Sequence, residues 1–398
     1  MELTAFSSDA AGVCRKTLEG YSAFFPNALP PRLEIDWDLA GLLSEADQAL
    51  SELAGAGELL LNPHILIRPY IRREAILSSR IENTIADMEE LLLFEVEEEE
   101  KKPDVREVSN YVHAMESGLA KVREMPVCLR LIRELHGTLM GGVRGGESPK
   151  RPGEFRESQN WIGKPGATLK EATFVPPPPD AMMDALSDWE RYLHADSAEP
   201  ILIKLAILHY QFEAIHPFID GNGRIGRLLI TLSLCETRRL REPLLYLSGF
   251  FDETRDDYYR LLLAVSQKGD WRSWIEYFLR GVREQSRVAL ADTRAILTLY
   301  QECQEKLKAA NRIPKAAPGV LDAVFESPLF SISRYSKRTG ENYPTVTKAV
   351  EFWEKNGLLR EATGQRRNRL YVAAQLLGTK PFRDQKKNPN PETTHADA

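Results

Sequence analysis

The densest chemistry in the chain lies in the twelve residues from His216 to Arg227, HPFIDGNGRIGR. Gly221, Asn222 and Gly223 stand directly before a strong helical pattern, and glycines there let backbone N–H groups converge with no Cβ in the way. Those amides and the N-terminus of the following helix make an anion site. Arg224 and Arg227 are three residues apart, so they share a helix face and can clamp one anion, and the planar guanidinium fork suits phosphate oxygens. Asp220 is a poor phosphate contact but a good ligand for a hard cation. Mg2+ takes one or two carboxylates together with substrate phosphates. His216, just ahead of the cluster, can accept a proton from an attacking hydroxyl while its imidazole is neutral. Nucleotide phosphates, one Mg2+ and a base together point to nucleotidyl or phosphoryl transfer.

Three other readings of the segment are weaker. Asp-Gly and Asn-Gly are common turn formers, but a bare turn does not account for a histidine and two arginines at fixed offsets. A calcium loop starting at Asp220 would put Arg224 at position five, Ile225 at position six and Thr231 at position twelve, where glutamate is needed. A P-loop needs Gly-Lys-Ser/Thr four residues after a glycine, and none follows.

The segment resembles the Fic signature HxFx(D/E)GNGRxxR, matching at His216, Phe218, Asp220, Gly221, Asn222, Gly223, Arg224 and Arg227. The resemblance extends over about residues 30–285. It implies a mainly α fold, a Fic-type helical bundle with one β-hairpin called the flap. It also implies transfer of AMP from ATP to a Ser, Thr or Tyr hydroxyl of a target protein. In that reading His216 deprotonates the target hydroxyl and Asp220 holds Mg2+. Gly221, Asn222 and Gly223 form the anion hole, Arg224 and Arg227 hold the outer phosphates, and Phe218 anchors the loop. The stretch Asn160, Trp161, Ile162, Gly163 and Lys164 resembles the flap, which would align the target by strand addition. Among the tyrosines after the motif helix (Tyr246, Tyr258 and Tyr259), Tyr246 is taken as the nucleotide contact.

Upstream, Ser78, Glu82 and Asn83 fit the family's inhibitory pattern (S/T)xxxE(G/N), placed as in the class with an N-terminal inhibitory helix. The resemblance implies that Glu82 pairs with Arg227 and occupies the arginine needed by the γ-phosphate. A carboxylate beside a guanidinium competes with phosphate for the same donors.

These groups need a scaffold, and helical periodicity supplies most of it. Leu39, Leu42, Leu43, Ala46, Leu50 and Leu53 form one stripe. Further helices are expected from Pro69 to about Glu95, Asp104–Lys121, Val127–Met140, Ala181–His194, Pro200–Ala214 and Arg224–Arg239, with two or three more up to about Ala310. The acidic run at Glu95 and Glu97 to Glu100 reads as a solvated loop. The stretch QNWIGKPGATLKEATFVPPPP, after a Gly-rich segment, reads as a β-hairpin with a proline exit. His136 and His209, on apolar faces, read as structural. Trp271, Trp274, Tyr277 and Phe278 read as core.

Residues 320–377 read as a small separate unit of helices followed by a hairpin, similar to a winged helix. Tyr343–Lys355 would be its recognition-like helix, and Arg366, Arg367 and Arg369 would sit on its wing. Residues 331–387 carry 13 Lys and Arg against 5 Asp and Glu, so DNA is a candidate partner, with protein docking as the alternative. The expected division is an N-terminal helical region (1–110) with the inhibitory helix and a catalytic core (111–285). A linker helix (286–319), the winged-helix-like unit (320–378) and a disordered tail (379–398) follow.

Composition is that of an ordinary globular protein. The chain has 398 residues, with 52 Lys and Arg against 58 Asp and Glu for a net charge of −6, which argues against a chain-wide nucleic-acid coat. Cys14, Cys128, Cys235 and Cys303 are scattered, so neither a disulfide framework nor a zinc–cysteine site is expected. No membrane span or signal peptide is visible, which gives a cytoplasmic expectation. The expected activity is therefore an autoinhibited protein adenylyltransferase using ATP and Mg2+, with a homodimer plausible from the resemblance. The alternatives are a Fic-fold transferase of another nucleotide or a de-AMPylase, and a DNA-binding regulator with a nucleotide-sensing Fic domain.

Overall fold

The computed structural model describes residues 1–58, 64–97, 102–143, 151–164, 166–364 and 369–377. The chain opens with a hairpin of β1 (Gly12–Lys16) and β2 (Ser22–Pro26). The helices α1 (Trp37–Glu58), α2 (His64–Ile81), α3 (Met88–Glu97), α4 (Pro103–Lys121) and α5 (Leu129–Met140) follow. After the expected flap come α6 (Pro179–His194), α7 (Ile201–Ile215), α8 (Asn222–Glu236), α9 (Ser248–Glu253), α10 (Arg255–Lys268) and the 39-residue α11 (Trp271–Ala309). The C-terminal unit holds α12 (Ala317–Glu326), β3 (Leu329–Ser331), α13 (Ile332–Thr339), α14 (Tyr343–Lys355), β4 (Arg360–Glu361), β5 (Leu370–Val372) and α15 (Ala374–Leu377).

Helices α7 and α8 form the centre, because their sequences leave almost no polar face. Thirteen residues of α7 are buried, and α8 is buried nearly throughout, including Arg224 and Arg227. Helix α1 lays Leu39, Ala46, Leu50 and Leu53 against α11, as its stripe predicts. Trp271, Trp274, Tyr277 and Phe278 of α11 are buried, as expected. Gly269 in the left-handed region ends α10, and the Asp270 carboxylate caps α11 by accepting from the Ser273 N–H at 3.1 Å.

The helix expected from Pro69 to Glu95 is instead two helices. Helix α2 starts at His64, so Pro69 lies inside it, and residues 82–87 form a turn before α3. Asn83, at φ 63°, makes that turn possible, since asparagine tolerates the left-handed region. Helix α2 is held on several sides by polar contacts. Arg72 makes a bidentate pair with Glu95 (2.8 and 2.7 Å) and donates to the Glu326 carbonyl of α12 at 2.7 Å. Arg73 pairs with Asp292 of α11 at 3.3 Å, and Tyr70 donates to the Ala289 carbonyl. Buried Glu74 accepts from Ser248 at 2.5 Å and Tyr111 at 3.2 Å, and burial raises its pKa.

The N-terminal hairpin was not foreseen. Its Phe24 is fully buried against Phe6 and Phe174, and the Phe24 N–H donates to the Val175 carbonyl, so β2 braces the chain that leaves the flap. The flap itself has less sheet than expected. One antiparallel bridge joins Ile162 to Phe174, and a 3-10 turn at Leu169–Glu171 is closed by a Thr168–Glu171 capping box.

The C-terminal unit has a three-stranded antiparallel sheet in the order β3-β5-β4, with α13 and α14 between β3 and β4. Strand β3 is an addition to the expected helix–helix–hairpin order. The expected domain edges 110/111 and 285/286 fall inside α4 and α11, both of which are continuous. Glu98 to Glu100 of the acidic run, Arg366 and Arg367 of the expected wing, and the tail 379–398 lie outside the described residues. The four cysteines are free, with burial pushing the thiols of Cys14 and Cys303 up to about 11 and Cys235 to about 12.

Candidate active site

The loop between α7 and α8 holds the expected base and metal ligand. Helix α7 ends when His216 takes the left-handed conformation, φ 50° and ψ 61°. Asn222 then closes the loop on itself: its Oδ1 accepts from the Phe218 N–H and its Nδ2 donates to the Phe218 carbonyl, both at 2.8 Å. Gly221, at φ 80°, starts α8, and a Cβ there would press on Met140 Sδ at 3.0 Å. Phe218 anchors the loop, fully buried and stacked on His136 with centroids 3.7 Å apart.

His216 is oriented for base work. Its Nδ1 donates to the Glu213 carbonyl at 3.3 Å, which leaves Nε2 as the basic nitrogen. Burial, and then the nearby Arg156 charge, push its pKa down to about 4, so the imidazole is neutral at neutral pH. The Asp220 side chain is 39% exposed, with Oδ1 accepting from the Gly221 N–H at 2.6 Å and lying 3.6 Å from Arg224. One partly exposed carboxylate beside a helix N-terminus fits Mg2+ held mainly by substrate phosphates. No cluster of three or more His, Cys, Asp or Glu exists among the described residues to hold a metal by protein ligands alone.

Both arginines are already paired with carboxylates. Arg224 is buried and bonds Glu107 at 3.0 Å, while Glu107 also accepts from Thr84. Arg227 donates through Nε to Ser78 Oγ and through Nη2 to the Ser78 carbonyl and Glu82 Oε1, all at 2.9 Å. Its Nη1 is buried with no hydrogen-bond partner among the described residues. Glu82 lies over the start of α8, since a Cβ on Gly223 would sit 2.3 Å from Glu82 Oε1. The expected partners Ser78, Glu82 and Arg227 are therefore together. Glu82 projects from the turn just beyond α2 and not from the helix. That turn is held by Arg255, which donates twice to Asn83 Oδ1 at 3.1 Å, and by Tyr259, whose hydroxyl donates to the Ile81 carbonyl at 3.3 Å.

Two placements differ from expectation. Tyr246 is buried against Tyr70, lining a narrow cavity with Glu74 and Gln285 in the core, and not beside the glycines. Tyr258 and Tyr259 are the tyrosines near Glu82 and Arg227, and burial followed by the Glu82 charge pushes the Tyr259 pKa up to about 12. Asn160 turns its side chain inward and donates to the carbonyls of His216 (3.2 Å) and Phe218 (2.8 Å). Trp161 and Ile162 remain on the outside of the flap, 41% and 38% exposed. A Cβ on Gly163 would press on the Ala167 methyl at 3.2 Å.

Three supporting residues stand behind the loop, and sequence reasoning named only His136, as a structural histidine. His136 accepts from the Gly153 N–H through Nδ1 (2.9 Å) and donates through Nε2 to the Asp220 carbonyl (3.0 Å), so it holds the loop as a neutral tautomer. Arg156 is buried among loop carbonyls. Glu213 is half-buried near Arg227 and Glu82, and desolvation lifts its pKa to about 8. A lone histidine, arginine or glutamate on a helical stripe carries no local signal of such contacts.

Comparison with known proteins agrees with this geometry. Residues 40–120 match the Fic/DOC family N-terminal model, and residues 126–234, which include the whole loop, match the Fic/DOC family model. Residues 40–234 thus hold a Fic/DOC domain and its N-terminal companion. It is similar to a "Protein adenylyltransferase Fic" of Drosophila ananassae, 32% identical over 159 residues, which is 39% of this chain and 28% of that protein. A protein of the same name from Drosophila yakuba is 27% identical over 237 residues, 58% of this chain and 39% of that protein. The matched stretch thus spans under two fifths of these relatives' length.

Two solved structures share the Fic helical fold. A Fic family protein from Desulfovibrio desulfuricans G20 aligns with a TM-score of 0.56 at 20% identity, covering 87% of this chain and 98% of that one. A Fic domain containing signaling protein from Bacteroides thetaiotaomicron aligns with a TM-score of 0.51 at 18% identity, covering 63% and 95%. No helix among the described residues is long and apolar enough to cross a membrane.

Proposed function

We propose that this Fic protein is a protein adenylyltransferase that moves AMP from ATP to a Ser, Thr or Tyr hydroxyl of a target protein, and that Glu82 restrains it. The observation that carries this reading is the position of one carboxylate. Glu82 lies over Gly223 at the N-terminus of α8 and bonds Arg227, where donors suited to an anion converge. A negatively charged side chain there is the shape of a phosphate subsite filled by an internal competitor.

In the working state the amides of Gly221, Asn222 and Gly223 take the phosphates, and Arg227, released from Glu82, takes the terminal one. Asp220 would hold Mg2+, which neutralises charge on the leaving pyrophosphate. His216 Nε2 takes the proton of the target hydroxyl as its oxygen attacks the α-phosphorus and pyrophosphate departs. Positioning and charge neutralisation are the main demands of such a transfer. The exposed edge of the flap around Trp161, Ile162 and Gly163 receives the target chain.

The test is intact-mass analysis of the Glu82→Gly protein incubated with ATP and Mg2+. A mass gain of one AMP that vanishes in Glu82→Gly/His216→Ala supports the reading. No gain, or a gain independent of His216, refutes it. α-labelled against γ-labelled ATP separates AMP transfer from phosphate transfer, since AMP transfer leaves only the α-label on protein.

A second reading concerns the C-terminal unit, taken as a winged helix. Asn342 caps α14, Tyr343 at its start is 49% exposed, and Arg334, Lys337, Arg338 and Lys348 lie on α13 and α14. This favours DNA as an added partner of a cytoplasmic enzyme, and a DNA affinity that falls steeply with salt would support it.

A further inference from the structure

His216 sits in the left-handed region, which β-carbon-bearing residues avoid unless their surroundings hold them there. It also stands at the end of α7, where the last carbonyls have no partners within the helix. One side chain meets part of that demand and reaches beyond the helix end. Arg156 donates through Nε to the His216 carbonyl at 2.9 Å and through Nη2 to the carbonyls of Pro177 (2.5 Å) and Ile215 (3.4 Å). Its Nη1 donates to the Ser158 carbonyl (3.3 Å) and its backbone N–H to Pro217 (2.9 Å). Asn160 adds its bonds to the His216 and Phe218 carbonyls.

Arg156 is 3% exposed, and its bonds are all to backbone carbonyls, with no ion pair to any carboxylate among the described residues. Burying a guanidinium among carbonyls with no counter-charge is an expensive way to cap a helix. The arrangement gains something a water or an amide could not give, because one rigid planar fork fixes several carbonyls relative to one another. Both residues also lie on the irregular segment that enters the flap. Asn160 is next to Trp161, and Ile162 makes the flap bridge.

We propose that Arg156 and Asn160 are positioning residues that hold the His216 backbone in its left-handed conformation and tie it to the flap. The base and the docked target segment then keep one register. A target strand laid along Trp161 to Gly163 is thereby placed a fixed distance from the imidazole, whatever its side chains. The inference rests on the adenylyl-transfer reading for its kinetic consequence, but not for the backbone constraint itself.

The experiment uses the full chain with Glu82→Gly as parent, and compares Asn160→Ala, Arg156→Lys and Arg156→Ala. Three quantities are read: self-labelling from α-labelled ATP, Mg2+·ATP affinity by calorimetry, and amide hydrogen exchange over residues 213–220. Misplacement of a catalytic group by about 1 Å costs about 100-fold in rate. The expected result is therefore labelling slowed by roughly that factor in Arg156→Ala and about 10-fold in Asn160→Ala, with nucleotide affinity within twofold of the parent. Exchange rises over 213–220, and millimolar guanidinium ion partly restores Arg156→Ala.

Parental exchange in both Asn160→Ala and Arg156→Lys overturns the inference, whether or not the parent transfers AMP. Labelling and nucleotide affinity lost together in Asn160→Ala also overturn it, since that pattern is general collapse of the site. A parent that never labels while exchange rises in the variants removes the adenylyl-transfer reading and leaves the brace standing. Asn160→Ala keeps the test decisive if Arg156→Ala does not fold.

Discussion

Replacing Glu82 tests the restraint with a magnitude set by its geometry. Glu82 Oε1 meets Arg227 Nη2 at 2.9 Å, with the arginine side chain 1% exposed and the glutamate 34% exposed. A charge-assisted hydrogen bond contributes about 1.5–3 kcal/mol, and partial exposure of Glu82 places this pair near the lower part of that range, about 2 kcal/mol. Release of Glu82 at that cost leaves the phosphate-competent state populated at roughly 1 in 30. Glu82→Gly then accelerates AMP incorporation by about 30-fold at ATP below saturation, since the rate follows the competent fraction. Glu82→Gln, which keeps a neutral acceptor near Arg227, falls between the two. The assay is initial-rate incorporation of α-labelled ATP at equal protein concentration, with Arg227→Ala in the Glu82→Gly background as the control that abolishes it. A Glu82→Gly protein that labels no faster than the parent chain refutes the reasoning, because the pair would then impose no cost on nucleotide alignment.

Other perturbations have equally definite outcomes. Gly221→Ala forces a side chain into φ 80° and against Met140 Sδ, so it should lower stability by at least about 1–2 kcal/mol in urea titration and weaken nucleotide binding. Asp220→Asn should raise the Mg2+ concentration needed for half-maximal labelling at least tenfold while leaving the urea midpoint within error. Stability should peak near pH 6.5. Burial pushes His136, His209 and His216 down to about 4, 3 and 4, so the unfolded chain binds more protons below pH 6.5 and stability is lost as pH falls toward 4. Glu213, raised to about 8, works oppositely and lowers stability as pH rises from 4.5 to 8, and Glu74 and Glu236, also raised by burial, act in the same direction, so the rise toward pH 6.5 is shallower than three histidines alone would give. Urea midpoints at pH 4.5, 6.5 and 8 check the order, and a midpoint highest at 4.5 sinks it.

The loop from His216 to Arg227 was legible because its chemistry is contiguous: base, carboxylate, glycines and arginines follow one another within three helical turns. The partner of Arg227, 145 residues away, was legible only through the spacing of Ser78, Glu82 and Asn83. What failed was anything depending on distant packing. Tyr246 and Tyr259 both follow the motif helix, and nothing in their spacing tells which one the fold turns toward Glu82. The β1–β2 hairpin was missed because its Phe24 finds its partners in Phe6 and Phe174, one of them 150 residues later. The helix expected across Pro69–Glu95 was overextended because hydrophobic periodicity continues through residues 82–87, where Asn83 adopts a positive φ that no pattern rule marks. Arg156 was invisible for the opposite reason, since its partners are carbonyls, which every residue carries.

Helix α2 is steadied by walls that come largely from outside the stretches by which the family is recognised. Those stretches stop at residue 234, whereas Ser248, Asn83's partner Arg255, Asp292 and the Glu326 carbonyl all grip α2 or its terminal turn from beyond that point. A fragment trimmed to the recognisable portion would retain every group proposed to hold nucleotide, yet would have lost these supports of α2 and its turn.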